Sequence, residues 1–136
     1  MAKKTNNSKS ITYSGFFNLP KDLLNDPEYI VLSAKAIKLL NDLGAQYNGR
    51  NNGDLCTSFT LMKRRNWNSK DQLNKAKKEL LERNWIEQTR HGGLNMGPCL
   101  YALTWQPINV CGGKLHVKPT LTPSRKLTRQ QQNQQS

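Results

Sequence analysis

The chain has 136 residues, with 21 lysines and arginines against nine acidic residues, which gives a formal charge of +12. This length predicts one compact domain. Residues 1–10 and 109–136 contain no acidic residue and supply +8 of the charge, so residues 11–108 carry only +4. We therefore expect a nearly balanced domain over 11–108, between a disordered basic arm over 1–10 and an extended to disordered, basic, glutamine-rich tail over 109–136. Basic ends of this kind either add contacts to nucleic-acid phosphates or only keep the chain soluble.

Composition and spacing exclude several classes of protein. No stretch approaches the roughly 18–20 apolar residues that cross a membrane, and the N-terminal charge precedes no apolar signal segment. The three cysteines, Cys56, Cys99 and Cys111, form no CxxC pair, so neither a zinc site nor a disulfide framework is predicted. We expect a cytoplasmic protein in a reducing compartment, without metal or cofactor.

Catalytic motifs are absent from the sequence. It contains no GxSxG, no HExxH and no phosphate-binding P-loop. The two histidines, His91 and His116, are far apart in the sequence and lack orienting carboxylates. We therefore expect no catalytic residue and no enzymatic activity.

The first half of the domain predicts a short helical turn and then a longer helix. Pro20 opens the turn, which Leu23 and Leu24 anchor. The longer helix is predicted over 33–47, because Ser33 is a good N-cap and apolar residues recur there at three- and four-residue spacing. The stripe consists of Leu32, Ala36, Leu39, Leu40, Leu43 and Tyr47, whereas Lys35, Lys38, Asn41 and Asp42 fall off it.

A second helix follows a short predicted strand at 55–57. Ser58 offers its N-cap, and Phe59 and Met62 face inward. The helix ends in three basic residues, which suit the negative end of the helix dipole and also lie where backbone phosphates would pass. These residues are Lys63, Arg64 and Arg65; Asn68 in the following turn adds a polar candidate contact. Trp67 in that turn is predicted to be a buried plug.

A third helix is predicted over 69–83. Ser69 and Gln72 match a capping box, and Leu73, Ala76 and Leu80 form the inward stripe. The side away from the stripe carries Lys70, Asn74, Lys75 and Lys78. Asparagine can read an adenine edge, and lysine can reach guanine or phosphate, so this face is the main candidate DNA contact. Asp71 and Glu82 lie on the same side and count against a broad phosphate-binding surface.

A β-hairpin is predicted after the third helix. Residues 85–90 and 100–105 are rich in β-branched and aromatic residues. The tip over 92–98 holds three glycines and a proline, so it is too long for a two-residue turn and is predicted to be a wing. Arg90 and His91, at the base of that wing, are candidate contacts to the DNA backbone or minor groove.

Helix, turn, helix and hairpin together predict an α+β winged helix-turn-helix, with a three-helix core and a small antiparallel hairpin wing. The stretches LSAKAIKLLNDLGAQYNGRNNGDL, MKRRNWNSKDQLNKAKKELLERNWIEQTRHGG and LYALTWQPI resemble small winged helix-turn-helix proteins of bacteria, phages and plasmids that are similar to domains of replication initiators. The resemblance covers about residues 16–118. It implies a winged-helix fold, and it implies that Asn66 takes over a turn position where that family usually has glycine.

We therefore expect a double-stranded DNA-binding protein, either a transcriptional regulator or a replication accessory of a phage or mobile element. The alternative left open is a winged helix that binds an acidic or nucleic-acid-binding protein and inhibits a host complex. An RNA binder ranks third, because the aromatic residues occupy core-like positions. A homodimer is possible.

The predicted DNA contacts are Lys63, Arg64, Arg65, Asn68, Ser69, Lys70, Asn74, Lys75, Lys78, Arg90 and His91. The predicted core is Leu39, Leu40, Leu43, Leu55, Phe59, Met62, Leu73, Ala76, Leu80, Trp85, Ile86, Tyr101, Leu103 and Trp105.

Overall fold

The computed structural model describes residues 15–93 and 97–127 and has an α+β architecture, with five α-helices and a three-stranded antiparallel sheet in those ranges. The predicted basic arm over 1–10, residues 94–96 of the predicted wing tip and the glutamine-rich end over 128–136 lie outside the described residues. None of the described helices combines the length and the apolar character that crossing a bilayer requires.

Three helices precede the sheet, and side-chain caps fix two of their starts. They are α1 (Lys21–Leu24), α2 (Pro27–Ile30) and α3 (Ala34–Gly44). The Asp26 carboxylate accepts from the Glu28 amide at 2.8 Å, and the Ser33 hydroxyl accepts from the Ala36 amide at 3.1 Å. The helix predicted over 33–47 ends earlier, at Gly44, because the amides of Gln46 and Tyr47 bond three residues back and tighten the last turn.

Two further helices flank the predicted turn. They are α4 (Phe59–Lys63) and α5 (Lys70–Glu82). The Ser58 hydroxyl caps α4, and the Ser69 hydroxyl accepts from the Gln72 amide at 3.2 Å, as the first half of the predicted capping box requires. Asn66 has a φ of 72°, in the left-handed region. The expectation that Asn66 accepts the turn geometry is therefore confirmed.

The sheet has the order β1–β3–β2, from β1 (Leu55–Cys56), β2 (Ile86–Arg90) and β3 (Leu100–Leu103). Strands β2 and β3 form the predicted hairpin, which a bridge between Gly93 and Gly97 extends toward its tip. The register shifts between Gln88 and Arg90, and at this irregularity Thr89 turns inward and donates its hydroxyl to the carbonyl of Gly53.

One apolar core joins the helices to the sheet. All predicted core residues are buried except Phe59, which is only half-buried. Phe59 instead packs against the edge of the core, because it begins α4 beside a surface groove that leaves part of its side chain exposed. The buried cluster also includes Leu23, Tyr29, Leu32, Ala36 and Trp67, so the predicted plug role of Trp67 is confirmed.

Residues 108–127 form an irregular strap across the sheet, with a short 3-10 turn at Cys111–Gly113. Their amides bond to the domain: His116 donates to the Thr89 carbonyl at 2.8 Å, and Arg125 to the Thr104 carbonyl at 2.7 Å. The Arg125 side chain donates to the carbonyls of Arg83 and Asn84 and lies 3.8 Å from the Trp85 ring centroid. The tail predicted over 109–136 as extended to disordered is therefore irregular but attached in its first part, up to 127.

Candidate nucleic-acid interface

The polar face predicted for the third helix is exposed on α5. Lys70, Asn74, Lys75 and Lys78 are exposed, while Leu73, Ala76 and Leu80 on the opposite side are buried. The periodicity therefore placed these side chains correctly, because a helix that packs on one side must present the other to solvent.

The outermost part of this face carries both signs of charge. Lys75 lies 3.8 Å from the Asp71 carboxylate, and Lys78 lies 4.0 Å from the Glu82 carboxylate. These four side chains are between 64 and 83% exposed, so each pair is weak and both lysines remain able to change partner. The acidic residues lower the positive potential here, as their positions in the sequence suggested.

A more strongly basic groove lies on one flank of α5, toward the hairpin. It has a volume of 240 Å³. Its lining includes Thr57, Phe59, Lys70, Asn74, Lys77, Pro98 and Cys99. Lys77 was not among the predicted contacts. Its spacing from Lys70 and Asn74, seven and three residues, puts all three on one stripe of the helix, so the sequence did carry a signal for it.

Aromatic rings hold three lysine ammonium groups beside this groove. The Nζ atoms of Lys63 and Lys70 lie 5.9 and 5.7 Å from the centroid of the Phe59 ring. The Nζ atom of Lys77 lies 5.7 Å from the centroid of the Tyr101 ring. Such contacts attract a cation to the ring face without neutralising its charge. The three charges are therefore oriented and still available to an anion.

Tyr101 stays neutral beneath Lys77. Its burial, together with the neighbouring Cys99, raises the pKa of the phenol to about 12. The hydroxyl therefore carries no charge near neutral pH. Lys77 consequently meets an aromatic face and not a phenolate, which would have formed an ion pair with it.

The basic turn is anchored to α3 through a buried carboxylate. Asp42 accepts from Arg65 Nε at 2.9 Å, from Trp67 Nε1 at 2.7 Å and from Lys38 Nζ at 2.9 Å. The Lys38 ammonium also donates to the Arg65 carbonyl at 2.8 Å. Asp42 was expected off the apolar stripe, but its side chain is only 5% exposed because Trp67 and Arg65 cover it. Arg65, a predicted DNA contact, therefore anchors the turn.

The environment of Asp42 favours its charged form. Burial alone raises the pKa of this carboxyl group, but hydrogen bonds from Trp67, Lys38 and Arg65 outweigh that effect and leave the pKa below its ordinary value. Asp42 is thus a carboxylate at neutral pH that links α3 to the turn before α5.

The remaining candidates lie around this turn and on the hairpin. Lys63 and Arg64 are exposed, and Ser69 is occupied as the cap of α5. Asn68 lines a separate groove of 270 Å³, on the α3 side of α5, so the structure does not bring it together with the lysines beside the hairpin.

Arg90 and His91 lie where β2 ends and the tip of the hairpin begins. The guanidinium of Arg90 lies beside Gly97, which pairs with Gly93 across the hairpin. The exposed His91 stacks on His116, with ring centroids 6.2 Å apart, and donates its amide to His116 Nδ1 at 3.2 Å. Their separation in the sequence concealed this contact, which ties the strap to the start of the hairpin tip.

Comparisons with known proteins leave the family open. No protein-family model, curated protein or solved structure matches the chain. The resemblance to small winged helix-turn-helix proteins of bacteria, phages and plasmids stays a prediction. Over residues 15–93 and 97–127, no group of three or more histidine, cysteine, aspartate or glutamate side chains is arranged to hold a metal ion.

Proposed function

We propose that the chain is a winged helix-turn-helix protein that binds double-stranded DNA. In this assignment α3, α4 and α5 are the three-helix core, and the hairpin of β2 and β3 is the base of the wing. The observation that carries the proposal is the exposed polar face of α5 beside a basic groove that the hairpin borders. In such folds the second helix of the motif enters the major groove, and adjoining loops contact phosphates.

The proposed DNA contacts are of two kinds, to base edges and to phosphates. Asn74, Lys75 and Lys78 project from α5 where a groove would present base edges, and each has hydrogen-bond donors that match purine acceptors. Lys63 and Arg64 hold phosphates near the turn, and Arg90 and His91 do so at the hairpin. Arg65 acts indirectly, because its bond to Asp42 fixes the turn that sets the angle of α5.

The biological role follows from the resemblance: a cytoplasmic transcriptional regulator, or a replication accessory, of a phage or mobile element. A basic chain with formal charge +12 suits both roles, since positive charge speeds association with DNA. Base-specific binding is required of a regulator and of an origin-binding accessory, so it is the property to test.

Binding of the full chain to a random 30-base-pair duplex across a salt series, with parallel selection from a random-sequence pool, tests the proposal. We expect an enriched motif and a steep fall of affinity with salt, since each neutralised phosphate contributes about −0.9 to the logarithmic slope. A steep slope without enrichment would reduce the protein to a non-specific binder. Absence of duplex binding at moderate salt would contradict the proposal.

The second candidate is a protein partner, which the mixed charge on the outermost face of α5 favours. Asp71 beside Lys75 and Glu82 beside Lys78 give that face both signs, as many protein interfaces have. The partner would be an acidic or nucleic-acid-binding host complex, inhibited when this face occupies its groove. Tight binding to such a complex, together with no affinity for duplex DNA, would establish this alternative over the first.

A further inference from the structure

We propose that one phosphate backbone of the duplex lies in the groove between α5 and the hairpin, along a lysine row made of Lys70 and Lys77, which line the groove, and Lys63, which lies beside it on Phe59. These contacts do not depend on base sequence. The inference rests on the proposed function, because it names the part of the DNA that this groove receives. It also assigns a binding role to Lys77.

The rings beside the groove position the lysine row. Phe59 holds Lys63 and Lys70 on the α4 side, and Tyr101 holds Lys77 farther along α5. Lysine side chains lose rotamer freedom when they bind, and a ring that already restricts them lowers that cost. Lys70 and Lys77 are seven residues apart, so their Cα atoms are separated by about 10 Å along the helix. One strand of B-DNA carries about three phosphates in that length of axis.

The charges also distinguish this row from the rest of α5. Lys75 and Lys78 each form an ion pair. Of the ion pairs in the described ranges, none includes Lys63, Lys70 or Lys77. A phosphate that approaches the row therefore displaces no carboxylate. Lys75 and Lys78, in contrast, must exchange Asp71 and Glu82 for their new contacts. The phosphate backbone is consequently expected to bind the lysine row, and the base edges are expected to contact Lys75 and Lys78 on the outer face of α5.

The lining of the groove suits a phosphate backbone, because it includes two lysines and no acidic residue. Its walls combine the basic flank of α5 with Pro98 and Cys99 of the hairpin, and its volume is 240 Å³. Asn74 also lines it, between the lysine row and Lys78. An amide side chain can bind phosphate and sugar oxygens as well as base edges, so Asn74 marks the boundary between the backbone contacts and the base contacts.

Two sets of charge-removing variants of the full chain test the row. The first set is Lys63→Gln, Lys70→Gln and Lys77→Gln, singly and combined, and the second is the double variant Lys75→Gln/Lys78→Gln. Lys21→Gln, an exposed lysine on α1 outside the groove, is the control for a loss of net charge. Dissociation constants are measured on the duplex enriched by selection and on an unrelated duplex, each across a salt series, after thermal unfolding has shown that the variants are folded.

We expect the combined row variant to weaken binding to both duplexes equally, by about a hundredfold or more near 0.1 M salt, and to reduce the salt slope by about 2 to 3. The Lys75→Gln/Lys78→Gln variant should lose affinity mainly for the enriched duplex. Steep wild-type binding with an unchanged slope in the row variant would overturn the row and leave the proposed function intact. A loss confined to the enriched duplex would assign the row to base contacts and also overturn it. A wild-type protein that binds neither duplex would overturn both proposals.

Discussion

Replacing Asn52 with aspartate is expected to lower the free energy of unfolding by about 3–5 kcal/mol, because it would leave an uncompensated charge buried in the core. Asn52 is fully buried. Its Oδ1 accepts from the Leu103 amide at 2.7 Å, and its Nδ2 lies within 3.1 Å of the carbonyl oxygens of Leu103, Gln106 and Pro107. Aspartate has the same shape, but it would direct a carboxylate oxygen at three carbonyl oxygens.

The backbone of Asn52 makes two further hydrogen bonds in the same region. Its amide donates to the Asn109 side chain at 2.8 Å, and its carbonyl accepts from the Asn109 amide at 2.9 Å. One residue therefore connects the turn before β1, the end of β3 and the start of the strap. A domain of this size is stable by only about 5–15 kcal/mol, so the Asn52→Asp variant loses a large part of its stability.

Asn51→Asp is the matched control, because it introduces the same charge at the neighbouring, half-buried position. The Asn51 side chain makes two hydrogen bonds, from Asn48 and to Gln46, so we expect a loss of about 1 kcal/mol. Urea unfolding followed by tryptophan fluorescence measures both variants, since Trp67, Trp85 and Trp105 are buried. Equal midpoints for the two variants would contradict the stabilising role assigned to the buried Asn52 side chain.

Local patterns in the sequence were sufficient to predict four of the five described helices and the hairpin. Ser33, Ser58 and Ser69 cap three helices where expected, because a cap and an apolar stripe are properties of a few adjacent residues. The polar face of α5 followed from the same periodicity. The ends of these helices and of the strands shifted, because tertiary contacts and tight turns decided them. Helix α2 was not predicted, because its four residues are too few to show a helical period.

Contacts between distant residues could not be predicted in this way. The run Asn51-Asn52-Gly53-Asp54 indicates only a turn, because its side chains favour local bends, whereas the partners of Asn52 lie about fifty residues later. The strap lacks periodicity and is rich in proline and glycine, so nothing local indicates that Arg125 reaches Arg83 and Asn84. The groove beside α5 was missed for the same reason, since the hairpin that borders it comes from another part of the chain.

Asp42 shows that a helical pattern does not by itself predict burial, because this residue lies off the apolar stripe of α3 and is still buried. Asp42→Asn should reduce the free energy of unfolding at pH 7 by about 2–3 kcal/mol, less than a fully buried pair would, because Lys38 and Arg65 are nearly half exposed. The amide nitrogen would face donors from Trp67, Lys38 or Arg65, and the charge that attracts the last two would be lost.

The effect should depend on pH in a defined direction. Because the pKa of Asp42 is lower in the folded protein than its ordinary value, its carboxylate stabilises the fold fully above that ordinary value of 3.8. The stabilisation is lost as the pH falls through the lower folded pKa. The difference in unfolding free energy between wild type and Asp42→Asn should therefore be constant from pH 7 to about 5 and shrink below about 4.

Urea unfolding of both proteins between pH 2 and 7 measures this difference. Asp71→Asn is the control, since Asp71 is an exposed partner of Lys75 and its replacement should change stability by no more than about 0.5 kcal/mol. A difference that stays constant down to pH 2 would contradict the lowered pKa.

Because Asp42 fixes the turn before α5, the Asp42→Asn variant should also bind the enriched duplex more weakly while still folded. The lysines of α5 keep their charge in this variant, so weaker binding would report the orientation of the helix.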